Sequence, residues 1–266
     1  LRKKPVERRP PAEPVAAEAV PAREQLERLR QQQERLFAQL DAGRAHFQRL
    51  ARSVWRVQED ERRRLARELH DGIGQNLTAL KHQLEGLAPA ADAEAQARLA
   101  AAISLCTDTL EDTRRMSRLL RPQILDDLGL EAALRWLART VAEAAQLDVN
   151  VDVADLPDVL EGEIATLLFR IAQEALANVA RHAQAQHARV HVRVREGRIE
   201  LSVSDDGRGF EPEAALAAGR EGKSSGLAGM RERVALFGGR FELRALPGSG
   251  TIVRANVPVA APGGAA

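Results

Sequence analysis

Leu26, Leu29, Leu36, Leu40, Phe47, Leu50, Val54 and Val57 recur at three- and four-residue intervals, with Gln33 and Gly43 interrupting the seam. That spacing predicts a helix from Ala22 to about Val57 with a narrow apolar seam, as in a short parallel coiled coil. A solvated helix feeding the next domain is the other reading. A second stripe, Leu65, Leu69, Ile73, Leu77, Leu80, Leu84 and Leu87, is out of phase with the first, because Val54 to Leu65 is eleven residues. A heptad plus four locally unwinds a supercoil, so an upstream signal is expected to rotate or loosen the helices there. Pro89 ends this helix. The next carries Leu99, Ile103, Cys106, Leu110, Thr113, Ser117 and Leu120 and stops before Pro122. Two such helices form an antiparallel hairpin, and pairing two copies into a four-helix bundle would cover the stripes each leaves wet.

After Asp126 the periodicity changes. A helix over 128–146 precedes the alternating run LDVNVDV, and another helix spans about Gly162 to Ala183. ARVHVRV and IELSVSD, joined by EGR, read as a hairpin. A Gly/Lys/Ser stretch, AAGREGKSSG, leads into a short helix ending near Phe237, and RFELRAL and TIVRANVPV close the chain around PGSG. These elements predict an α+β sandwich with helices over one face of a mixed sheet. The expected divisions are a disordered linker (1–21), a coiled-coil helix (22–57), a helical hairpin (58–122), the sandwich (123–258) and a tail (259–266).

Composition narrows the function. The 266 residues are 44% hydrophobic and 29% charged, ordinary for a globular protein, and no apolar run is long enough to span a bilayer. Cys106 is the sole cysteine, which excludes an internal disulfide framework and a multi-cysteine zinc site. Its seam position marks it as a small core residue. A net charge of +1 argues neither for nor against nucleic acid, and aromatics at 3% speak against base-stacking platforms. Arg62, Arg63 and Arg64 are offset by Glu59, Asp60, Glu61 and Glu68, so they read as a solvated face and not a nucleic-acid footprint. His46, His82, His187 and His191 lack metal-ligand companions; Trp136 and Phe169 read as packing residues. The chain opens on Leu1 and reads as a fragment or processed product, with any sensory or membrane part upstream.

The candidate chemistry lies in two places. In ERRRLARELHDGIGQNLTAL, His70 follows the seam residue Leu69, Asp71 adjoins it, and Gln75 lies one turn beyond Asp71. A neutral imidazole has an unprotonated nitrogen able to attack an electrophile, an adjacent carboxylate can fix its tautomer, and a carboxamide can orient water. A solvated helix histidine beside an apolar seam is the alternative. Gly72 and Gly74 each cost about 1 kcal/mol in a helix relative to alanine, which hints at close approach or local flexibility. In FRIAQEALANVARHA, one helix face carries Glu174, Asn178, Arg181 and His182: two oxygen ligands suited to Mg²⁺ and two groups for phosphate. SVSDDGRGF sets Asp205 at a strand end to accept from an adenine amino group, with Gly207 and Gly209 allowing close backbone approach. SSGLAGMRERV opens a helix with Gly226 and Gly229, whose amides suit phosphate, and GSGT supplies Gly248, Gly250 and Thr251.

The first stretch, with LLRPQILDDLGLEAAL after the hairpin, resembles two-component sensor histidine kinases of the H-D-x-x-x-Q subfamily, typified by nitrate sensors and the lipid-desaturase thermosensor. The four later motifs resemble, in order, the N, G1, G2 and G3 boxes of the Bergerat (GHKL) ATP-binding fold. The resemblance covers about 200 residues, roughly Val57 to Pro258. It implies a helical hairpin dimerising into a four-helix bundle, followed by a Bergerat-type α+β sandwich. It further implies His70 as phosphoryl acceptor, Asp71 as base and Gln75 as water-positioning group for dephosphorylating the response regulator. Glu174 and Asn178 would face Mg²⁺, with Arg181 and His182 toward phosphate. Asp205 and Thr251 would face adenine, Gly207 and Gly209 would lie under the base, and Gly226, Gly229 and Gly250 would sit by the nucleotide. Lys223 would contact phosphate from a short lid. The implied cofactors are ATP and Mg²⁺, the partners a second copy and a response regulator receiver domain, and the location cytoplasmic. Rival readings are an ATP-binding module without histidine transfer, such as an anti-sigma-type serine kinase or degenerate kinase, and a coiled-coil scaffold.

Overall fold

The computed structural model describes residues 16–87, 92–120, 122–157, 160–212 and 225–259. The expected linker up to residue 15, the tail from 260, and Lys223 with most of the Gly/Lys/Ser stretch lie outside the described residues. The chain divides into two compact units, 1–51 and 52–266. Helix α1 (Ala16–Glu68) begins six residues before the expected Ala22, in an alanine-rich stretch that favours helix. Within the first unit its seam residues Leu29, Leu36, Leu40, Phe47 and Leu50 are exposed.

The eleven-residue offset does not interrupt α1. The departure from α geometry comes later, as a π-helical turn over Leu69–Gly74, before α2 (Gln75–Leu87) and α3 (Ala93–Leu120). Asp92 starts α3 by accepting the Ala95 N–H at 2.8 Å, satisfying one of the donors a helix start leaves open. The pairing across the hairpin is antiparallel. Ser117 Oγ donates to the Ala66 carbonyl at 2.8 Å, Gly74 faces Leu110, and the buried Cys106 thiol donates to the Leu77 carbonyl at 3.2 Å. Gly74 is buried against α3, whereas a Cβ on Gly72 would meet nothing within 4 Å; only one of the two glycines answers to close packing.

Beyond the hairpin lie α4 (Gln123–Asp127), unforeseen from the sequence, and α5 (Gly129–Ala145), which stops at Gln146 in a left-handed conformation. Strand β1 (Asp148–Ala154) is followed by α6 (Gly162–Asn178), which runs into a second π-helical turn, Val179–Ala183. Strands β2 (His187–Arg195) and β3 (Arg198–Asp205) are joined through Glu196 and Gly197, both at positive φ, as a tight twisted hairpin requires. Helix α7 (Ser225–Leu236) precedes β4 (Arg240–Ala245) and β5 (Thr251–Pro258).

The five strands lie in the order β1-β2-β3-β5-β4, with β1 parallel to β2 and the remaining pairs antiparallel. This is the expected mixed sheet. Alternation sends Val190, Val192, Ile199, Leu201, Val203, Val253 and Val257 to one face, where α5, α6 and α7 supply Leu134, Leu168, Phe169, Leu176 and Met230. Each such fully buried side chain contributes roughly 1.5–3 kcal/mol of burial free energy, which fixes helix α6 against the sheet.

Candidate functional site

Helix α6 is buried along most of its length, but Glu174 and Asn178, one turn apart, emerge at its C-terminal end over the open end of β3. There they help line a cavity of about 590 Å³ with Arg181 and His182 from the π-helical turn, Asp205 at the end of β3, Gly209 just after it, Gly226 on α7 and Thr251 on β5. The volume suits a ligand of nucleotide size. Val203, Val253 and Leu227 supply apolar wall, and Arg208, Phe210 and Glu211 shape the rim.

Asp205 sits where β3 and β5 pair, opposite Thr251. Burial pushes its carboxyl above the ordinary carboxylate value, while the Gly207 N–H at 2.9 Å and the Thr251 hydroxyl and amide oppose the shift. The next residue behaves oppositely. Asp206 accepts the backbone N–H groups of His187 and Gln186, each at 2.9 Å, and faces the His187 ring at 2.7 Å, which lowers it to about 2 and raises His187. Asp206 thus fastens the start of β2 to the end of β3, next to Asp205.

A Cβ on Gly226 would lie 2.2 Å from Glu174 Oε1, so the carboxylate rests against the first turn of α7. Glu174 and Asn178 together offer two hard oxygen donors on the cavity wall, a set that fits Mg²⁺ held jointly with phosphates. Among the described residues no group of three or more His, Cys, Asp or Glu side chains could hold a metal by itself. Arg233 on α7 donates to the Gly229 carbonyl at 3.1 Å; burial lowers its pKa, and the charge of Glu174 acts against that.

Three of the glycines picked out from the sequence do not line the cavity: Gly207, Gly229 and Gly250. Gly207 is buried against the Ala183 carbonyl, which a Cβ would approach to 2.3 Å, and Gly250 lies against the Asp205 carbonyl. Both permit backbone to meet backbone, which shapes the cavity from behind. Gly229 makes room for the Arg233 guanidinium. Sequence reasoning passed over Arg208, Phe210, Leu227 and Arg233, although all four stand inside the quoted SVSDDGRGF and SSGLAGMRERV strings.

His70, in the first π-helical turn, is exposed and lines a different cavity with Arg114, Ser117 and Arg118 of α3, Gln123 and Asp127 of α4, and Trp136 of α5. Asp71 and Gln75 are exposed but do not line that cavity. The two cavities share no residue. The neighbouring arginines pair with carboxylates: Arg62 with Glu59, Arg64 with Glu61 and Glu68, and Arg63 with Asp126 of α4. No helix among the described residues is long and apolar enough to cross a membrane.

A family model described as Histidine kinase matches residues 61–125, and one described as Histidine kinase-, DNA gyrase B-, and HSP90-like ATPase matches residues 163–261. The sensor histidine kinase MctS of Rhizobium johnstonii is 38% identical over 216 residues, covering 80% of this chain and 46% of that protein. The oxygen sensor histidine kinase NreB of Staphylococcus carnosus is 33% identical over 217 residues, covering 81% of this chain and 61% of that protein. The chain therefore spans about half the length of the curated relatives it matches. Among solved structures, the histidine kinase domain of the Erythrobacter litoralis EL346 blue-light activated histidine kinase is 21% identical, covering 70% of this chain and 94% of that one, with a TM-score of 0.45. With a histidine kinase domain around His70 and an ATPase domain of the DNA gyrase B and HSP90 type around the large cavity, in that order along one polypeptide, the chain belongs to the histidine kinase family.

Proposed function

We propose that this chain is an ATP-dependent protein histidine autokinase that phosphorylates its own His70 and passes the phosphoryl group to an aspartate of a response regulator receiver domain. The observation that carries the reading is an exposed histidine on a helical hairpin joined to a cavity whose wall sets an acid, a carboxamide, an arginine and a histidine around the end of α6. Adenine would lie against Asp205, whose carboxylate accepts its amino group, with Thr251 holding that carboxylate in place. Arg181 and His182 would meet the phosphates, joined by Lys223. Bound Mg²⁺, held by Glu174 and Asn178, would neutralise phosphate charge.

An unprotonated ring nitrogen of His70 attacks the γ-phosphorus in line, a nitrogen–phosphorus bond forms, and ADP leaves with the electrons of the broken oxygen–phosphorus bond. Asp71 takes the proton from the other ring nitrogen. Nitrogen–phosphorus bonds are labile, so the group moves on readily to a carboxylate. Gln75 orients a water for the reverse, phosphatase reaction on the regulator. A homodimer would bury the apolar positions the hairpin leaves open, among them Leu65, Ile73 at 48%, Leu80 at 47% and Leu87 at 60% exposure. Use of ATP and of a receiver domain fits a cytoplasmic location.

Incubation with Mg²⁺ and ATP radiolabelled at the γ-phosphate tests the reading. Acid-labile, base-stable label that disappears in His70→Gln is expected. Label persisting in that variant, or none in a chain that binds nucleotide, would overturn it.

A further inference from the structure

One guanidinium ties the ATPase domain to two other elements. Arg170, on α6 one turn before Glu174, is 3% exposed. It donates to both carboxylate oxygens of Glu59 on α1 at 2.7–3.1 Å, to the carbonyls of Leu119 and Leu120 at the end of α3, and to Gln173 at 2.8 Å. Around it the same stretch of α1 makes three further contacts with the ATPase domain. Arg56 meets Glu163 at 2.5 Å. Trp55, 7% exposed, stands edge-on to Phe237 with centroids 5.2 Å apart. Arg52 donates to the Leu236 carbonyl and covers the Phe237 ring at 5.0 Å.

This attachment holds α6 at the level of Glu59. His70 lies eleven residues further on, which at a helical rise of 1.5 Å is on the order of 16 Å along the axis. In-line transfer needs the reacting atoms about 3–3.5 Å apart. His70 also opens into a cavity that shares no residue with the nucleotide cavity. In the attached arrangement, then, His70 stands outside the lining of the nucleotide cavity, as a domain held away from its acceptor would leave it. Arg170 binds α1 through a carboxylate and α3 through carbonyls, so a displacement of α1 relative to α3 cannot keep both sets of bonds.

We propose that Arg170 is a positioning residue that parks the ATPase domain on α1, and that loss of its bonds to Glu59, when α1 moves relative to α3, releases the domain for transfer to His70. This rests on the kinase reading above and assigns the point at which movement of α1 reaches the enzyme.

Glu59→Gln keeps the shape of the side chain and removes the charge. The chain has two tryptophans, so in a Trp136→Phe background Trp55 alone reports the contact. In the full chain, Glu59→Gln is expected to raise acrylamide quenching of Trp55 about threefold and the initial rate of His70 labelling at least fivefold. The Kd for a fluorescent ATP analogue should stay within twofold. A merely structural role would not raise the rate. Arg52→Ala, at the rim of the same contact, should act in the same direction less strongly and serves if Glu59→Gln fails to fold. Parent-like quenching with a parent-like rate would overturn the proposal, as would an exposed Trp55 with a slower rate, which would make the attached arrangement the productive one. If the parent chain binds no nucleotide, the kinase reading fails, and the quenching result still decides whether Glu59 holds the domain.

Discussion

Two glycines in the turn between β4 and β5 allow a controlled test of how the nucleotide cavity is built. Gly248 and Gly250 both have positive φ, +80° and +76°, so alanine is strained at either. A Cβ on Gly248 would meet nothing within 4 Å, whereas one on Gly250 would lie 2.0 Å from the Asp205 carbonyl oxygen. Contacts under 3.0 Å are essentially never seen, so the turn and the end of β3 must separate by at least 1 Å. The left-handed conformation costs alanine about 1–2 kcal/mol. Reduced freedom of the unfolded chain returns about 0.4–1 kcal/mol. Gly248→Ala should therefore destabilise by about 0–1.5 kcal/mol. Gly250→Ala adds an overpacking cost of about 1–3 kcal/mol, for a total of about 1–4.5 kcal/mol. With a urea slope of about 2 kcal/mol/M, the unfolding midpoint should fall by less than about 0.7 M for Gly248→Ala and by about 0.5–1.5 M more than that for Gly250→Ala. Because the displaced carbonyl belongs to Asp205, Gly250→Ala should also weaken binding of an ATP analogue by about tenfold, roughly 1.4 kcal/mol. Gly248→Ala should leave binding within twofold. Equal midpoints and equal affinities for the two variants would refute the account of the turn as a spacer behind Asp205.

Other consequences can be measured directly. Burial raises Asp205 above its ordinary value of 3.8, so its folded state favours the proton; the matching contribution to stability is full below 3.8 and lost as pH rises through the raised value. On the proposed reading binding runs the other way, because the carboxylate would accept from adenine: analogue affinity should fall on acidification with an apparent pKa above 3.8, and a midpoint at or below 3.8 would contradict it. Ser117→Ala leaves the buried Ala66 carbonyl without its 2.8 Å donor, which should cost about 1 kcal/mol and lower the Tm of the full chain by a few degrees; an unchanged Tm would show that the bond does not tie α3 to α1.

Where one face of an element is buried and the other wet, its pattern was readable. β2 and β3 alternate residue by residue because the helices cover only one side of the sheet, and α3 shows its four-three spacing because one stripe meets α2. Helix α4 escaped because five residues carry no period. The π-helical turns escaped because an added residue in a turn leaves hydrophobic spacing ambiguous. At the site, motif residues could be grouped from local strings, but the Arg170–Glu59 pair joins positions 111 residues apart and carries no local signal. The glycines show a different limit. The SVSDDGRGF string marked Gly207 and Gly209 as places of close approach, and only the structure reveals that the backbone carbonyls of Ala183 and Leu246 do the approaching.

The π-helical turn at Leu69–Gly74 gives the hairpin a length reserve. Deleting one residue from an ordinary α-helix rotates everything beyond it by about 100°. A deletion inside Leu69–Gly74 instead lets the turn relax to α geometry, and α2 keeps its phase against Cys106 and Leu110 of α3. Gly72 is the residue whose loss disturbs least, since no atom crowds the space beside it. Among the described residues of the hairpin, the helix thus carries His70 on its π-helical turn, where a residue can be lost with the α phase beyond it kept. Angular mismatch arriving along α1 can be taken up at the histidine itself, before it reaches the interface that α2 shares with α3.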